Sequence, residues 1–552
     1  MPLRIYNTLG RRKEEFAPLH PGEVGIYVCG PNLYGPSHVG HAMSYIVFDV
    51  ICRYLSYRGL RVTFIQNFTD IEDRIIETAR AEGTTIEALA ARYQDRFLRE
   101  MDALGVARAT QYPRATEAIP KMIEVIKRLI ERGLAYAADG DVFFRVRAFP
   151  AYGRLSGRSL DEMQAGARIE VDPRKEHPMD FVLWKASKPD EPAWDSPWGQ
   201  GRPGWHIECT TMSISALGEQ FDIHGGGQDV IFPHHENELA QSEGYTGKSP
   251  FVRFWVHNGL LRLTGGDEKM TRHLGNFVSI QEALERYHPD AIRVFMLSSH
   301  YRSPATWSED ALTAATRGAE RLRTALENAE DILKTPAGHE PGGPVPSEPG
   351  AVKASGQAQA RASGSAPRVD PGDLPRAAEA SRAAFEAAMD DDFNTPGALA
   401  AMFDLAGVLN RVTGALSKGR DPLTPAHREA LERGTAVLRE LGGVLGLRLV
   451  PLVTPAQVAK LQDLAAELSR ERPDLFARDQ LTTLIPPDAG RAGDGHGDAL
   501  ARAGRLIEFI AVGRMEARRQ KDWATGDRIR ARLADVGVLL EDTPAGFKWR
   551  VR

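Results

Sequence analysis

The chain has 552 residues, a formal net charge of −5 and 26% charged residues. That balance excludes a protein that coats nucleic acid through its overall charge, so any such surface must be local. An apolar fraction of 42% can fill several cores, and the length suggests roughly three to four domains. Three cysteines, Cys29, Cys52 and Cys209, argue against a disulfide framework and for a reducing, cytoplasmic compartment. No apolar run approaches the ~20 residues that span a bilayer, and the first residues lack the apolar core of a signal peptide, so no membrane association is expected.

In chain order, residues 24–29 alternate and end in an apolar run, which predicts a strand. A Gly/Pro-rich turn follows over residues 30–40, then a helix over 41–57 whose apolar residues recur at helical spacing, then a strand over 60–66. Strand–turn–helix–strand is a βαβ unit, so the fold class is α/β with a parallel, doubly wound Rossmann-type sheet. Thr84 with Glu87 reads as a capping box on a helix reaching Leu104. Residues 1–111 are assigned to the first half of the catalytic domain. Residues 112–203 change texture and read as an inserted connective domain. The second half resumes over 204–258, and 259–312 holds a glycine-flanked basic loop. An α-helical bundle over 313–485 is interrupted at 335–375 by Pro, Gly, Ser and Ala without aromatics, a composition that favours disorder. A small module closes the chain at 486–552. Residues 500–552 carry 12 Lys/Arg against 7 Asp/Glu, a local net of +5.

Chemistry concentrates in three places. The stretch from Phe221 to Glu238 runs from a strand through Gly225, Gly226 and Gly227 to Pro233, which opens a helical stretch. His234 and Glu238 stand four apart on it, so imidazole and carboxylate converge. Cys29 ends the first strand and Cys209 lies just before the helix that follows Trp205. Loops at the carboxyl edge of a parallel sheet share one crevice, so all four groups could meet around a zinc ion. Spacing alone also fits two core cysteines beside a surface His/Glu pair. Cys52, on an apolar helix face, reads as core. His38 and His41 flank a glycine at a helix N-terminus, where N–H groups suit phosphate. Lys269, Met270, Thr271, Arg272 and His273 form a basic loop suited to a leaving pyrophosphate.

Together these residues resemble the class I aminoacyl-tRNA synthetases, and among them the cysteine-specific branch. HVGH at 38–41 and KMTRH at 269–273 resemble the two class signatures. YVCGP at 27–31, NFTDIEDRI at 67–75, PMDFVLWK at 178–185, GRPGWHIEC at 201–209, the FDIHGGGQDVIFPHHENE stretch, HYRSP at 300–304 and MDDDFNTP at 389–396 resemble the branch. So do KDWATGDRIR at 521–530 and LEDTPAG at 540–546.

The resemblance implies that the chain activates L-cysteine with ATP and Mg²⁺ and transfers it to cysteine tRNA. It implies zinc ligation by Cys29, Cys209, His234 and Glu238. It implies ATP-phosphate contacts from His38 and His41 and from Lys269 and Arg272. Gly40 and Asp229 are placed on the adenosine side, and Trp205 is placed along the cysteine pocket. The bundle and the basic module are expected to bind tRNA, and the chain is expected to act as a monomer. The chain departs from the usual pattern at Thr271, Arg272 and His273, at Asn32 and Gly35, and at Met43, all near the ATP side. Two other readings are a cysteine ligase acting on an amino-sugar, which lacks the portion from about Thr313 onward, and a non-catalytic paralogue that binds tRNA or zinc.

Overall fold

A computed structural model describes residues 2–160, 162, 172–263, 277–334, 370–417, 422–450, 453–477, 480–481, 496–543 and 546–551. Lys269 and Arg272 lie outside them, as does most of the stretch expected to be disordered.

Four strands, β1 (Glu23–Val28), β2 (Arg61–Gln66), β3 (Phe221–Gly227) and β4 (Val252–Asn258), form one parallel sheet in the order β4-β3-β1-β2. Alternation along the strands divides them between two cores. Ile26, Val28, Ile223, Phe254 and Val256 face one side, where helix α1 (Val39–Tyr57) packs with Phe48 and Ile51. Tyr27, Ile65 and Trp255 face the other, against Ile207 and Met212 of helix α2 (Trp205–Leu217). Both faces are covered, which is why β1 and β4 carry consecutive apolar residues, Ile26 to Val28 and Phe254 to Val256. The chain leaves β1 in one direction for β2 and returns to β3 on the other side of β1. The crevice at that reversal is where such sheets bind ligands.

Between β2 and α2 an antiparallel sheet of Ala135–Ala138, Asp141–Phe144, Phe181–Ala186 and Gly201–Pro203 is inserted. A helix over Asp73–Glu82 escaped the sequence reading. It closes on Gly83 in the left-handed conformation, φ 64°. Thr84 N–H caps that helix by donating to Ala79, so the N-cap of the helix Ile86–Leu104 is Thr85, not Thr84.

The C-terminal half is helical. Glu309–Lys334, Asp373–Asp390, Thr395–Ser417 and Pro425–Val444 pack together with the sheet-side core. The helix from Asp373 begins inside the stretch expected to be disordered to residue 375, because buried Leu374 anchors it and Pro375 is tolerated in a first turn. Among the described residues one helix, Thr395–Ser417, is long and apolar enough to cross a membrane. Half of its most apolar window is buried, and Met402, Leu405 and Leu409 fill the bundle core. Leu461 and Leu464 of Pro455–Glu471 share a separate core with Leu506, Ile507 and Ile510 of His496–Arg519. By packing, the C-terminal unit therefore begins near residue 453 and not at 486.

Candidate metal centre and active site

Cys29 follows β1 at the carboxyl edge, its N–H donating to Gly225 O across the sheet at 3.3 Å. The turn after it passes so close to the neighbouring chain that a Cβ on Gly30 would meet Asn67 O at 1.5 Å. Cys209 sits in the second turn of α2, inside the helix and not before it, four residues after Trp205. His234 lies in a five-residue wide turn over Ile231–His235, where Phe232 is extended. The regular helix α3 starts only at Glu236 (Glu236–Thr246) and presents Glu238 in its first turn.

These elements bring the four predicted ligands together. Cys29 Sγ lies 3.7 Å from Cys209 Sγ and 3.7 Å from Glu238 Oε1, and His234 Nε2 lies 2.9 Å from the same carboxylate oxygen. Zinc bond lengths of about 2.0–2.3 Å put tetrahedral ligand atoms about 3.3–3.8 Å apart. The sulfur spacings match this, and the nitrogen–oxygen pair needs a few tenths of an ångström. Cys209, His234 and Glu238 are buried and Cys29 is half-buried. His234 Nε2 is buried with no hydrogen-bond partner beside the carboxylate, as an atom turned toward a shared metal position would be.

Outer contacts fix each ligand's orientation. His206 Nδ1 lies 2.8 Å from His234 Nδ1, which leaves Nε2 of His234 for the centre. His224 Nε2 lies 2.9 Å from Glu238 Oε2, so Oε1 is the oxygen turned inward. Burial pushes His206 down to about 3, making it an acceptor for the His234 N–H. Burial opposes the charge on Glu238, yet His224 and His234 hold it well below the usual carboxylate range. Burial likewise opposes a proton on His234, but Glu238 and then Cys209 raise it to about 10. The Cys29 S–H donates to Cys209 and lowers that thiol to about 6, while burial pushes Cys29 up.

A second convergent set, Cys29, His224, His235 and Glu238, shares two of these residues. Within it His235 Nε2 lies 3.2 Å from Cys29 Sγ and His224 Nε2 lies 2.9 Å from Glu238 Oε2. On its outer side His235 Nδ1 lies 2.8 Å from His257 Nε2, and His257 Nδ1 lies 2.8 Å from Thr8 Oγ1. Cys29, Cys209 and His234 also line a cleft of about 660 Å³, which His224 and His235 do not. The first set faces the cleft.

At the far end of that cleft, His38 and His41 build a reciprocal cap on α1. His41 N–H donates to His38 Nδ1 at 3.2 Å, and His38 N–H approaches His41 Nδ1 at 3.4 Å, with the rings stacked 3.8 Å apart. Val39 N–H donates to Val278 O. His38, Val39 and His41 thus direct their backbone N–H groups to partners within the protein. The cap thus occupies Nδ1 of both rings. A Cβ on Gly40 would come within 2.9 Å of the His38 ring, so glycine permits the cap. Asp229 and Trp205 line the same cleft, and Trp205 stacks on His234 at 4.2 Å. Two glycines of β3 permit packing: a Cβ on Gly225 would strike Phe48, and one on Gly226 would strike His235, while Gly226 and Gly227 also line the cleft.

Sequence reasoning missed the work of His235, His257 and Asn67. His206 and His224 stood in the right strings without a signal for their partners, which only the fold supplies.

The chain matches the family of tRNA synthetases class I (C) catalytic domains over residues 15–317 and a DALR domain over residues 384–450. It is 45% identical over 551 residues to a cysteine–tRNA ligase of Pelotomaculum thermopropionicum, covering 99% of each chain. It is 44% identical over 551 residues to one of Dehalococcoides mccartyi, covering 100% of each. Among solved structures it is similar in fold to Mycobacterium tuberculosis methionyl-tRNA synthetase bound by methionyl-adenylate. There the TM-score is 0.52 at 16% identity, over 87% of this chain and 96% of the other. Agrobacterium radiobacter leucyl-tRNA synthetase aligns with a TM-score of 0.53 at 12% identity, over 79% and 85%.

Proposed function

Because the chain belongs to the cysteine–tRNA ligase family of class I synthetases, we propose that its cleft selects L-cysteine through a zinc ion held by Cys29, Cys209, His234 and Glu238. The observation that carries this reading is the His234–His206 contact at 2.8 Å together with the Glu238–His224 contact at 2.9 Å. Both ligands are already turned toward the sulfurs. When bound, zinc supplies a soft Lewis acid that takes a thiolate and discriminates against an alcohol.

The chain's own residues do the rest. Trp205 walls the thiol end. The cysteine carboxylate is ionised at neutral pH and needs no base. One of its oxygens attacks the α-phosphorus of Mg·ATP, a P–O bond forms, and the bond to pyrophosphate breaks. His38 and His41 hold phosphoryl oxygens during this step, and Lys269 and Arg272 neutralise the leaving pyrophosphate. Positioning and charge therefore carry the catalysis. Gly40 and Asp229 sit on the adenosine side. A ribose hydroxyl of the tRNA 3′ end then attacks the cysteinyl carbonyl and AMP leaves. The helical bundle and the C-terminal unit hold the tRNA body. We place the enzyme in a reducing cytosol, as a monomer, which keeps both thiols available.

The test is ATP–pyrophosphate exchange with cysteine and with serine. The wild type is expected to favour cysteine by more than 10³-fold, beyond the ~10- to 200-fold available from one methylene in an apolar pocket. Cys209→Ser should lose most of that preference. A variant that discriminates as the wild type does would sink the reading.

A further inference from the structure

The cleft has a third arm that neither the metal ligands nor the phosphate-facing histidines use. It is made by Tyr34, Arg74, Glu77 and Thr78, all of which line the cavity shared with Cys29 and His38. Tyr34 stands between those two residues in sequence, on the loop that leaves β1. That loop is pinned by Leu33 N–H to Thr69 O at 3.1 Å and by Asn32 Nδ2 to Glu72 Oε2 at 3.0 Å. Arg74 lies over the Tyr34 ring at 5.5 Å and donates to its hydroxyl at 3.2 Å. The ring is half-buried against Ile75, Ala79 and Leu89, whereas Arg74 and Glu77 are exposed.

An aromatic ring held flat by packing, with a guanidinium on it and a carboxylate nearby, suits a nucleobase. Stacking supplies sequence-tolerant attraction, and cation–π contact adds to it. The carboxylate can accept from an exocyclic amine. The base of ATP has another place. On the reading above its adenosine lies along Gly40 and Asp229, which line another part of the cleft. A second nucleoside must enter this cleft in the transfer step, the 3′-terminal adenosine of the tRNA.

We infer that the Tyr34–Arg74 arm stacks the 3′-terminal base of the tRNA and positions its ribose for attack on the adenylate. The inference rests on the charging reaction proposed above. Arg74 orients the ring, and Glu77 takes the amino group of adenine.

The test uses the full chain with cysteine tRNA transcripts ending in A or in C. Two rates are measured, ATP–pyrophosphate exchange and single-turnover transfer from preformed adenylate. For Tyr34→Ala, transfer is expected to fall about 10- to 100-fold further than exchange, the size of one lost stacking contact. Tyr34→Phe should keep most of the transfer rate. The wild-type penalty for a terminal C should shrink in Tyr34→Ala. Equal losses in the two rates assign Tyr34 to packing alone, and an unchanged penalty for terminal C places the base elsewhere. Either result overturns the inference. Failure of the underlying reading looks different, because the wild type would then show no cysteine-dependent exchange.

Discussion

Cys29 Sγ and Cys209 Sγ, from residues 180 positions apart, lie 3.7 Å from each other without a bond between them. Two sulfurs on one tetrahedral ion adopt that separation. Cys52, the third cysteine, is on the opposite face of the sheet, against the α1-side core. Cys29→Ser and Cys209→Ser are therefore expected to purify with under one tenth of an equivalent of zinc, and Cys52→Ser with a full one. Elemental analysis of the three proteins checks this, and equal zinc in all three contradicts it.

His206 touches the centre only through His234. Residues that orient a ligand in this way typically change metal affinity by about 10- to 100-fold. His206→Ala should weaken zinc retention by that factor in a chelator competition while its thermal midpoint in saturating zinc stays within a few degrees. An unaltered competition curve would assign His206 to packing.

Burial pushes His257 down to about 3 from an ordinary imidazole value near 6.5. A folded state that resists the proton binds fewer protons than the unfolded chain between those two values. Stability of the metal-stripped protein should thus decline as the pH falls from 6.5 toward 3. One such group contributes a slope of about 1.4 kcal/mol per pH unit. Urea midpoints at pH 7, 6 and 5 are expected to fall less steeply in His257→Asn, although that variant starts lower through its lost contacts to His235 and Thr8.

Arg293 and Asp49 form a buried ion pair at 2.6 Å that ties α1 to the helix Pro289–Leu297. The same guanidinium donates to Leu445 O at 3.0 Å and Leu104 O at 3.3 Å. Asp49→Ala strands a charge in the interior and should cost about 3–5 kcal/mol in urea unfolding. Asp49→Leu combined with Arg293→Met removes both charges and should recover a good part of that. If the double variant is no better than the single, the pair's hydrogen bonds to the backbone carry the junction.

Local patterns made the parallel sheet legible, and the family resemblance named the four residues that the fold brings together. The strand at 24–29 ends in an apolar run because both faces of the sheet are covered, and the four-residue spacing of His234 and Glu238 suggested that they converge. The rest needed three-dimensional partners. His235 and His257 are indistinguishable in sequence from neighbouring histidines, and only the pairing of β3 with β4 brings them together. The HVGH string gave no sign that the Nδ1 atoms of His38 and His41 also cap α1. The helix at Asp73–Glu82 was missed because its apolar residues, Ile75, Ile76 and Ala79, are too few to set a period. The basic excess at the C-terminus also reads differently in three dimensions. Arg514 and Arg518 share Asp542, and Arg532 pairs with Glu471 of a neighbouring helix, so only part of that charge faces outward.

X-ray absorption at the zinc edge, with and without L-cysteine, tests the metal reading most directly. The free protein should give two sulfur scatterers at about 2.3 Å and two lighter ones near 2.0–2.1 Å. Added cysteine should raise the sulfur count to three, and serine should leave it at two. A centre with one sulfur and two imidazoles, or a sulfur count that cysteine does not change, would contradict recognition of the substrate thiolate by zinc at Cys29, Cys209, His234 and Glu238.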